Sequence, residues 1–503
     1  MRPTWPWRRS WWVAFAMFAG VGALWAFSTP LMAAPDEPSH VINAAAVVRG
    51  EFLERRATVV GPHLILTNFF VRVPASLAAT RQIAVCFAFR PSVSAGCAPR
   101  IGDRTTVVTG STRAGAYPPL YYLLVGWPSL ILHPRAAVYA MRLCSVLVAA
   151  AFLATAWTSA RSLTRSSILV VAVALALTPM TFFLVGSVNP SGMEIAAGLA
   201  TWLTVLDLLS RSGPAPSRLI VWAALSAGTF AAARPLGPLL CVVTVMTVAA
   251  AAGSRHRLAE VASDRRVRWA TAAVGTALIG SVIWIVESRV SSTVVGLPIP
   301  GLTRRTALAH SVGVLPEQAR QMVGVFGWLD TYPPHWLWWA WGAAAVLLVA
   351  AALIVGTWRH RLILLGAVAA TLTLTAMGNA LNAPKYGYGW QGRYTLPFAV
   401  GILILAGWVL SKRGPSSLWL ERSATVGTVA GVTVGQFVAH SIAMDRNVVG
   451  LPSSFLGYVG GHGWSPPLRP ATMLILAIAV FAGYGAWLLA SAMTVAEDST
   501  AAP

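Results

Sequence analysis

The chain has 503 residues, of which 56% are hydrophobic and only 11% are charged, and its mean hydropathy is +0.66. A soluble protein of this length needs far more charged surface, so the composition excludes a soluble globular protein and indicates a polytopic membrane protein. The formal net charge is +21. Because most basic residues are arginines in short loops between apolar runs, membrane orientation accounts for them and no nucleic-acid partner is expected.

The first apolar run, residues 10–29, follows Arg2, Arg8 and Arg9 and predicts an uncleaved anchor helix with a cytoplasmic N-terminus. A cleavable signal peptide is the alternative, but the following "PLMAAP" lacks small residues at both recognition positions. The later runs are about 20 residues long, the length that crosses a bilayer. They predict spans near 143–160, 166–186, 193–210, 217–233, 236–252, 269–287, 336–357, 361–380, 394–411, 423–441 and 471–493.

The basic loops predict the orientation and the number of spans. The positive-inside rule places in the cytoplasm the loops "RSLTRSS", "RSGPAPSR", "GSRHRLAEVASDRRVR", "TWRHR" and "SKRGPSS", which fall between alternate spans. The apolar run 117–132 contains prolines, and a full crossing there would reverse every later loop, so we expect it to be re-entrant or broken. The predicted fold is an all-α polytopic membrane protein with about twelve transmembrane helices and both termini in the cytoplasm.

Three substantial loops, 30–116, 288–335 and 442–470, are then expected to face outside, and the first of them could form a small lid. Cys86 and Cys97 lie in that first loop, where a disulfide could persist. Cys144 and Cys241 lie inside apolar runs and are expected to be packing residues. We see no soluble domain long enough to stand alone.

The stretch "PDEPSHVINAAAVVRGEF" begins directly after the first span. Apolar residues recur in it at helical spacing, which predicts a helix lying in the membrane interface with its apolar face down. Asp36 or Glu37 could cap this helix, and His40 would lie about one turn further on, near the same face. Acids are scarce in this chain, so two adjacent acids at the bilayer surface also suggest chemistry on a lipid-linked substrate.

Near the outer end of a later span, "KYGYGWQGRY" supplies Lys385, Gln391, Arg393 and Tyr394. An arginine can bond two phosphate oxygens at once and stabilise a charged leaving group. An interfacial aromatic belt with snorkelling cations is the alternative interpretation of this segment.

Other polar residues lie at the ends of apolar runs. Asn189, in "SVNPSGME", is expected to cap a helix, whereas Glu194 lies within an apolar run and needs a partner or a cavity. Arg234 could pair with Glu194 or with a phosphate. Tyr117 begins the broken segment and could line a site, whereas Asp330 in "FGWLDTYPPHW" is typical of a turn.

Taken in chain order, "PDEPSH", "YPPLYY", "GSVNPSG", "GVFGWLDTYPP" and "QGRYTLP" resemble the DUF2142 family of membrane proteins over roughly residues 34–400. Members of that family often carry an Asp after the Pro where this chain has Ser191, a departure that weakens a catalytic role for that segment. The family is similar to the GT-C glycosyltransferases, which move a sugar from a polyprenyl-phosphate carrier to an acceptor on the outer side of the membrane. The resemblance implies a GT-C-like membrane domain over 1–411, followed by C-terminal transmembrane helices over 412–503.

The resemblance also implies roles for the residues. Asp36, with Glu37 second, would be the catalytic base, and the substrate-binding residues would be His40, Tyr117, Arg234, Lys385, Gln391, Arg393 and Tyr394. The partners would be a polyprenyl-phosphate sugar and a cell-envelope glycan, glycolipid or protein acceptor, at the outer face of the cytoplasmic membrane. A flippase or exporter of lipid-linked glycans and a non-catalytic envelope assembly protein are the alternatives. A divalent cation on Asp36, Glu37 and His40 is geometrically feasible, but such close spacing is a weak signal and no metal ligand is assigned.

Overall fold

The computed structural model describes residues 7–52, 56–60, 65–163, 166–290, 295–296, 299, 301–412 and 418–500. Arg2 and residues 413–417 of the last basic loop lie outside them. The α-helices of the described residues are α1 (Trp7–Ser28), α2 (Glu37–Val47), α3 (Ala75–Ala78), α4 (Leu120–Gly126), α5 (Pro134–Leu163), α6 (Ser167–Ala176), α7 (Pro179–Val185), α8 (Pro190–Ser210), α9 (Ser217–Ala233), α10 (Gly237–Ala252), α11 (Arg255–Ser263), α12 (Arg265–Glu287), α13 (Arg304–Gly313), α14 (Leu315–Gly324), α15 (His335–Val355), α16 (Trp358–Tyr386), α17 (Leu396–Ser411), α18 (Leu418–Val448) and α19 (Pro470–Thr500). The strands are β1 (Arg56–Val60), β2 (Ile65–Pro74), β3 (Val107–Thr112) and β4 (Val295–Gly296).

The predicted spans all coincide with helices. Within the described residues, eight helices are long and apolar enough to cross a membrane: α1, α5, α8, α12, α15, α16, α18 and α19. Helices α6 and α7 make a ninth candidate, bent by 60° where Pro179 starts a new helix because proline cannot continue the old one. Helices α9, α10 and α17 are apolar but shorter. They would all have to cross to reach the predicted twelve spans, so that number stays a prediction.

The proline-interrupted run 117–132 forms no helix of membrane-spanning length. It folds into the seven-residue α4 followed by a short 3-10 turn over Trp127–Leu130. Helix α4 packs against α2 at very close range, because a Cβ on Gly126 would lie 2.2 Å from the carbonyl oxygen of Ala44. This segment is therefore broken, as expected, and packs on the helix that carries the acidic motif.

The loop 30–116 contains a small antiparallel sheet, so the prediction of an all-α fold is wrong for this part of the chain. Strand β2 pairs with β1 (Arg56 opposite Phe69) and with β3 (Phe69 opposite Thr112). It also pairs with β4, which comes from the distant loop 288–335. The strands are rich in Val and Thr, which favour extended backbone. We call this sheet, with the residues that join β2 to β3, the lid.

Helix α2 is a core helix, covered by other parts of the protein. All eleven of its residues are buried inside the protein, between α4, the lid and the 3-10 segment that follows α3. The predicted apolar face is present, but the small side chains Ala44, Ala45 and Ala46 let neighbouring elements approach closely. The predicted contact between this apolar face and lipid is wrong, because the lid and α4 cover the face.

The basic loops meet at one end of the helix bundle. Arg257 donates to the carbonyl oxygens of Leu208 and Gly213, and Arg359 donates to that of Gly253. The acidic motif, the lid and the "QGRY" segment meet at the other end, where Asn189 at the start of α8 donates to Pro35, Arg393 pairs with Asp36, and Thr112 donates to Ser39. The alternation of loops predicted from the sequence is thus compatible with the packing.

Helices α18 and α19 share the main apolar core with the rest of the bundle. Phe18 of α1 contacts Tyr484 and Trp487 of α19, with ring centroids 6.2 and 5.4 Å apart. Arg446, near the end of α18, forms a buried 2.7 Å ion pair with Asp330 and donates to the carbonyl oxygen of Phe87 in the lid. The division at residue 411 stays a prediction, since the C-terminal helices have no separate core.

The predicted disulfide between Cys86 and Cys97 is confirmed. It closes a short loop of the lid that also receives hydrogen bonds from Arg446. Cys241 is a buried free cysteine, as expected of a packing residue, and Cys144 is free and part-buried.

Candidate functional site

Asp36 directly precedes α2 and has a left-handed backbone, with φ of 62°. Few residues other than glycine adopt this conformation, although Asp and Asn tolerate it best. The side chain of Asp36 makes no capping hydrogen bond to α2, contrary to one of the roles predicted for it. Its Oδ2 instead lies 2.5 Å from Nη2 of Arg393. The unusual backbone thus turns the carboxylate away from the helix and towards the "QGRY" segment.

Arg393 lies in a 3-10 turn, Gly392–Tyr394, that α14 holds in place. Gln318 of α14 donates to the carbonyl oxygen of Trp390, and the Gln321 side chain accepts from the backbone N–H of Gly392. A Cβ on Gly392 would lie 2.2 Å from the carbonyl oxygen of Gln318, so this close approach requires glycine. The position of the guanidinium therefore depends on α14 as well as on Asp36.

The two partners of this ion pair differ in exposure. The Asp36 side chain is 43% exposed, whereas that of Arg393 is 4% exposed. Nε and Nη1 of Arg393 are buried and have no hydrogen-bond partner among the described residues. A buried guanidinium with unused N–H groups is poised to receive an oxyanion. The carboxylate covers only part of it.

Burial acts to raise the pKa of Asp36, but the positive charges of Arg393 and Arg113 and the hydrogen bond from Arg393 outweigh it and hold the pKa below its usual value. Asp36 is therefore ionised at neutral pH. In this resting arrangement it is a weak base, because its lone pairs are already stabilised by a cation.

A second arginine lies beside this pair. Arg234, in the turn between α9 and α10, approaches Glu194 at 3.4 Å and the Tyr117 hydroxyl at 3.5 Å. Its guanidinium carbon lies 4.5 Å from the centroid of the Tyr394 ring, and that of Arg393 lies 5.3 Å from the same ring. Tyr394 thus contacts both cations. Nε of Arg234 and Oε1 of Glu194 are buried without a partner among the described residues.

His40 joins the same cluster from α2. Its ring centroid lies 5.5 Å from that of Tyr117, and its Nδ1 shares a 2.9 Å hydrogen bond with the Tyr122 hydroxyl. Burial lowers the pKa of His40 to about 3, although the charge of Asp36 opposes this shift. His40 is therefore neutral at physiological pH and can act as a hydrogen-bonding and stacking group, but not as a cation.

Glu37 has a different environment from its neighbour. Its carboxylate is completely buried and forms a 2.6 Å ion pair with Arg142, which also donates to the carbonyl oxygens of Ala26, Thr29 and Pro30. Each oxygen of Glu37 accepts one bond from Arg142 and one from a backbone N–H. All four acceptor positions are used, so Glu37 connects structural elements and is not placed to act as the second candidate base.

A family model described as "Predicted membrane protein (DUF2142)" matches residues 18–402, about three-quarters of the chain. The chain belongs to the DUF2142 family. No curated protein matches it. The matched range contains the acidic motif and the "QGRY" segment, whereas α18 and α19 lie beyond it.

The structure of this DUF2142 protein therefore brings together Asp36, His40, Tyr117, Arg234, Arg393 and Tyr394, six of the predicted site residues. Gln391 is adjacent in sequence, but its buried Oε1 has no partner among the described residues. The side chain of Lys385 lies outside the described part of the structure. Asn189 caps α8 as expected, and it also donates to the carbonyl oxygen of Pro35, which fixes the residue before Asp36.

Metal binding finds no support in the geometry of this DUF2142 site. Among the described residues, no three His, Cys, Asp or Glu side chains lie close enough together to hold an ion. Asp36 turns towards Arg393 and His40 bonds Tyr122, whereas Glu37 is fully bonded to Arg142 and backbone N–H groups. The three-ligand arrangement considered from the sequence does not form.

Sequence reasoning missed Arg113 and Arg142. Arg142 begins an apolar run and looked like an ordinary boundary residue, but it is the buried partner of Glu37. Arg113 follows β3, and its charge acts on Asp36. The one sequence signal for them was their position, since Arg113 lies shortly before the motif "YPPLYY" and Arg142 lies at the start of the apolar run that follows it.

A cavity beside α1 and α5 is separate from these residues. It has a volume of about 850 Å³ and is lined by residues of α1 and α5 and of the lid, including Phe27, Tyr139, Arg135 and Asp103. None of the six clustered residues lines it. We therefore assign the candidate site from its side-chain chemistry and not from cavity size.

Proposed function

We propose that this DUF2142 protein is a glycosyltransferase that moves a sugar from a polyprenyl-phosphate donor to a cell-envelope acceptor on the outer side of the cytoplasmic membrane. The observation that carries the proposal is the pairing of a half-exposed carboxylate, Asp36, with a buried arginine, Arg393, whose Nε and Nη1 have no partner among the described residues. A sugar phosphate needs both a base for the acceptor and a cation for the leaving group.

In the proposed reaction the donor phosphate binds Arg393, with Arg234 on its other side. An incoming phosphate competes with Asp36 for the guanidinium, so the carboxylate loses its cation and its pKa rises. Asp36 then becomes a stronger base at the moment when the donor is in place. Donor binding and activation of the base are thus coupled through one ion pair.

Asp36 takes the proton of an acceptor hydroxyl, whose oxygen forms a bond to the anomeric carbon of the sugar. The bond from that carbon to the phosphate oxygen breaks, and its electron pair leaves with the polyprenyl phosphate. Arg393 and Arg234 stabilise the charge that develops on that phosphate. One displacement of this kind inverts the anomeric configuration. Tyr117 and Tyr394 offer aromatic surfaces near the reacting atoms.

The packing of the loops supports an outward-facing site. The arginine-rich loops meet at the end of the bundle opposite to Asp36 and Arg393, and basic loops prefer the cytoplasmic side. A carrier lipid presents its phosphate at the depth of the headgroups. The lid and α2 would then lie at the outer surface, where a disulfide such as Cys86–Cys97 is stable.

The test is a linkage analysis of envelope glycans in a deletion strain, complemented at matched membrane levels. The complementing proteins are the wild type, Asp36→Asn, Arg393→Gln and, as control, Asp103→Asn, which changes an exposed acid of the lid. We expect one defined sugar to disappear and to return with wild type and Asp103→Asn only. Full rescue by Asp36→Asn would remove the proposed base. Accumulation of a complete lipid-linked precursor on the inner leaflet would favour a flippase instead.

A further inference from the structure

Two arginines in or next to the lid have no acidic partner among the described residues. Arg113 directly follows β3, and its guanidinium donates no hydrogen bond to any described residue, although its Nε is buried. Arg81 lies in the 3-10 segment Ala79–Cys86 and donates only to neutral groups, the side-chain oxygens of Asn68 and Ser111. Neither arginine forms an ion pair with a described Asp or Glu.

The two charges lie close enough to repel each other. Burial lowers the pKa of Arg81, and the positive charge of Arg113 lowers it further. Holding two part-buried cations together without a counter-charge costs free energy, because each loses water and gains a like neighbour. An anion between them would remove this cost.

Arg113 is held firmly beside the candidate site. The hydroxyl of Thr112 donates to the carbonyl oxygen of Ser39 at 2.7 Å, and the Asn43 side chain donates to that of Ala114 at 3.1 Å. The residues on both sides of Arg113 are thus bonded to α2 within two turns of Asp36. Its charge also helps to keep Asp36 ionised.

The charges of the site fall into two groups. Arg393 is matched by Asp36 and Arg234 by Glu194, so the first group is nearly neutral before a ligand binds. Arg81 and Arg113 form the second group, which is positive. Arg81 donates to the hydroxyl of Ser111, two residues before Arg113, and the charge of Arg113 acts on Asp36 of the first group. One donor phosphate can use the free N–H groups of the first group, which leaves the second group available.

We propose that Arg81 and Arg113 form a second anion subsite, which binds phosphate or carboxylate oxygens next to the Asp36–Arg393 pair. This inference rests on the proposed function, and it narrows the substrates to those with two separate anionic groups. The second group comes either from a diphosphate in the carrier lipid or from an acidic group on the acceptor.

The test measures binding, so that it does not depend on turnover. Purified full-length protein in lipid nanodiscs, without divalent cations, is titrated with farnesyl phosphate and farnesyl diphosphate. Inorganic phosphate is then titrated with farnesyl phosphate already bound. The variants are Arg113→Gln and Arg81→Gln, two independent changes to the subsite, and Arg393→Gln for the first phosphate. Arg72→Gln, on the exposed face of β2, removes the same charge from the same lid and is the control.

We expect Arg113→Gln and Arg81→Gln each to weaken binding of the second anion about tenfold, with binding of farnesyl phosphate nearly unchanged. If wild type prefers the diphosphate and the variants lose that preference, the donor supplies the second anion. If the variants lose affinity only for inorganic phosphate added after farnesyl phosphate, the acceptor supplies the second anion.

Equal second-anion affinities in wild type, Arg113→Gln and Arg81→Gln, or an equal loss in Arg72→Gln, would overturn the subsite. If Arg393→Gln still weakens the binding of farnesyl phosphate in that case, the proposed function remains supported. Conversely, equal affinity for farnesyl phosphate in the wild type and in Arg393→Gln would refute the proposed donor site, regardless of how the second anion binds.

Discussion

Replacing Glu37 by Gln should destabilise the protein strongly, whereas Asp36→Asn should remove activity and leave stability nearly unchanged. The two acids are adjacent, but Glu37 is completely buried against Arg142 and Asp36 has a 43% exposed side chain. The substitutions are chemically matched, since each exchanges a carboxylate for its amide. Any difference between them therefore reports the environment of the residue and not the type of change.

The magnitude follows from the bonds that each change breaks. Gln at position 37 leaves the buried Arg142 without its counter-charge, and its amide N–H₂ group must face either the backbone N–H of Met32 or that of Val188. Breaking a buried ion pair costs about 3–5 kcal/mol. Asn at position 36 also removes a counter-charge from a buried arginine, but the lost carboxylate is 43% exposed, the amide keeps an oxygen for Arg393, and Asn tolerates positive φ. We therefore expect a smaller loss of about 1 kcal/mol.

The assay is denaturation of the purified full-length proteins in detergent micelles, followed by tryptophan fluorescence. The double variant Glu37→Gln/Arg142→Gln is the internal check. Because it removes both charges, it should cost about 1–3 kcal/mol less than the sum of the two single variants. A Glu37→Gln protein within about 1 kcal/mol of wild type, or an Asp36→Asn protein as unstable as Glu37→Gln, would refute the assignment of structural and reactive roles.

Three further predictions concern other parts of the fold. Gly392→Ala should lower activity at least tenfold, because its Cβ would clash with α14 and displace the arginine next to it, whereas Gly389→Ala, with open space around it, should have no effect in the same activity assay. Cys86→Ser/Cys97→Ser should lower the free energy of unfolding by about 3 kcal/mol, the value for closing a loop of about a dozen residues, and unfolding should then no longer respond to dithiothreitol. The pKa of His40 is lowered to about 3 in the folded protein, so below pH 6.5 this histidine binds a proton in the unfolded chain but not in the folded one. The free energy of unfolding should therefore fall as the pH drops below 6.5, by about 1 kcal/mol at pH 5.5. His40→Gln should reduce this pH dependence in unfolding curves measured from pH 7.5 to 5.5.

The apolar helices could be predicted because each depends on a local property, a run of about 20 apolar residues between basic loops. The disulfide could be predicted because its two cysteines lie 11 residues apart in a polar loop. The sheet could not, since its strands are short and β4 joins β2 from a loop more than two hundred residues away. No local pattern records such a pairing.

The roles of the two acids could not be separated from the sequence either. Asp36 and Glu37 look equivalent in "PDEPSH", and what distinguishes them is the position of Arg142, 105 residues further on, and of Arg393, 357 residues beyond Asp36. The same limit explains the missed Arg113, which stands among small polar residues and becomes notable only when the lid places it beside Asp36. Sequence motifs identified the residues, and the tertiary fold decides which of them meet in the candidate site.

Arg446 imposes an order on how the chain can mature in the cell. This residue bonds Phe87 and Val93 of the lid, yet it is synthesised more than 350 residues after them. At about 5–20 residues per second, the lid waits roughly 20–70 s for the helix that secures it. During that interval the cystine loop can already close, because it needs nothing made later. The lid and its attachment to the bundle are therefore assembled in two stages, and the earlier stage must persist until the bundle is nearly complete.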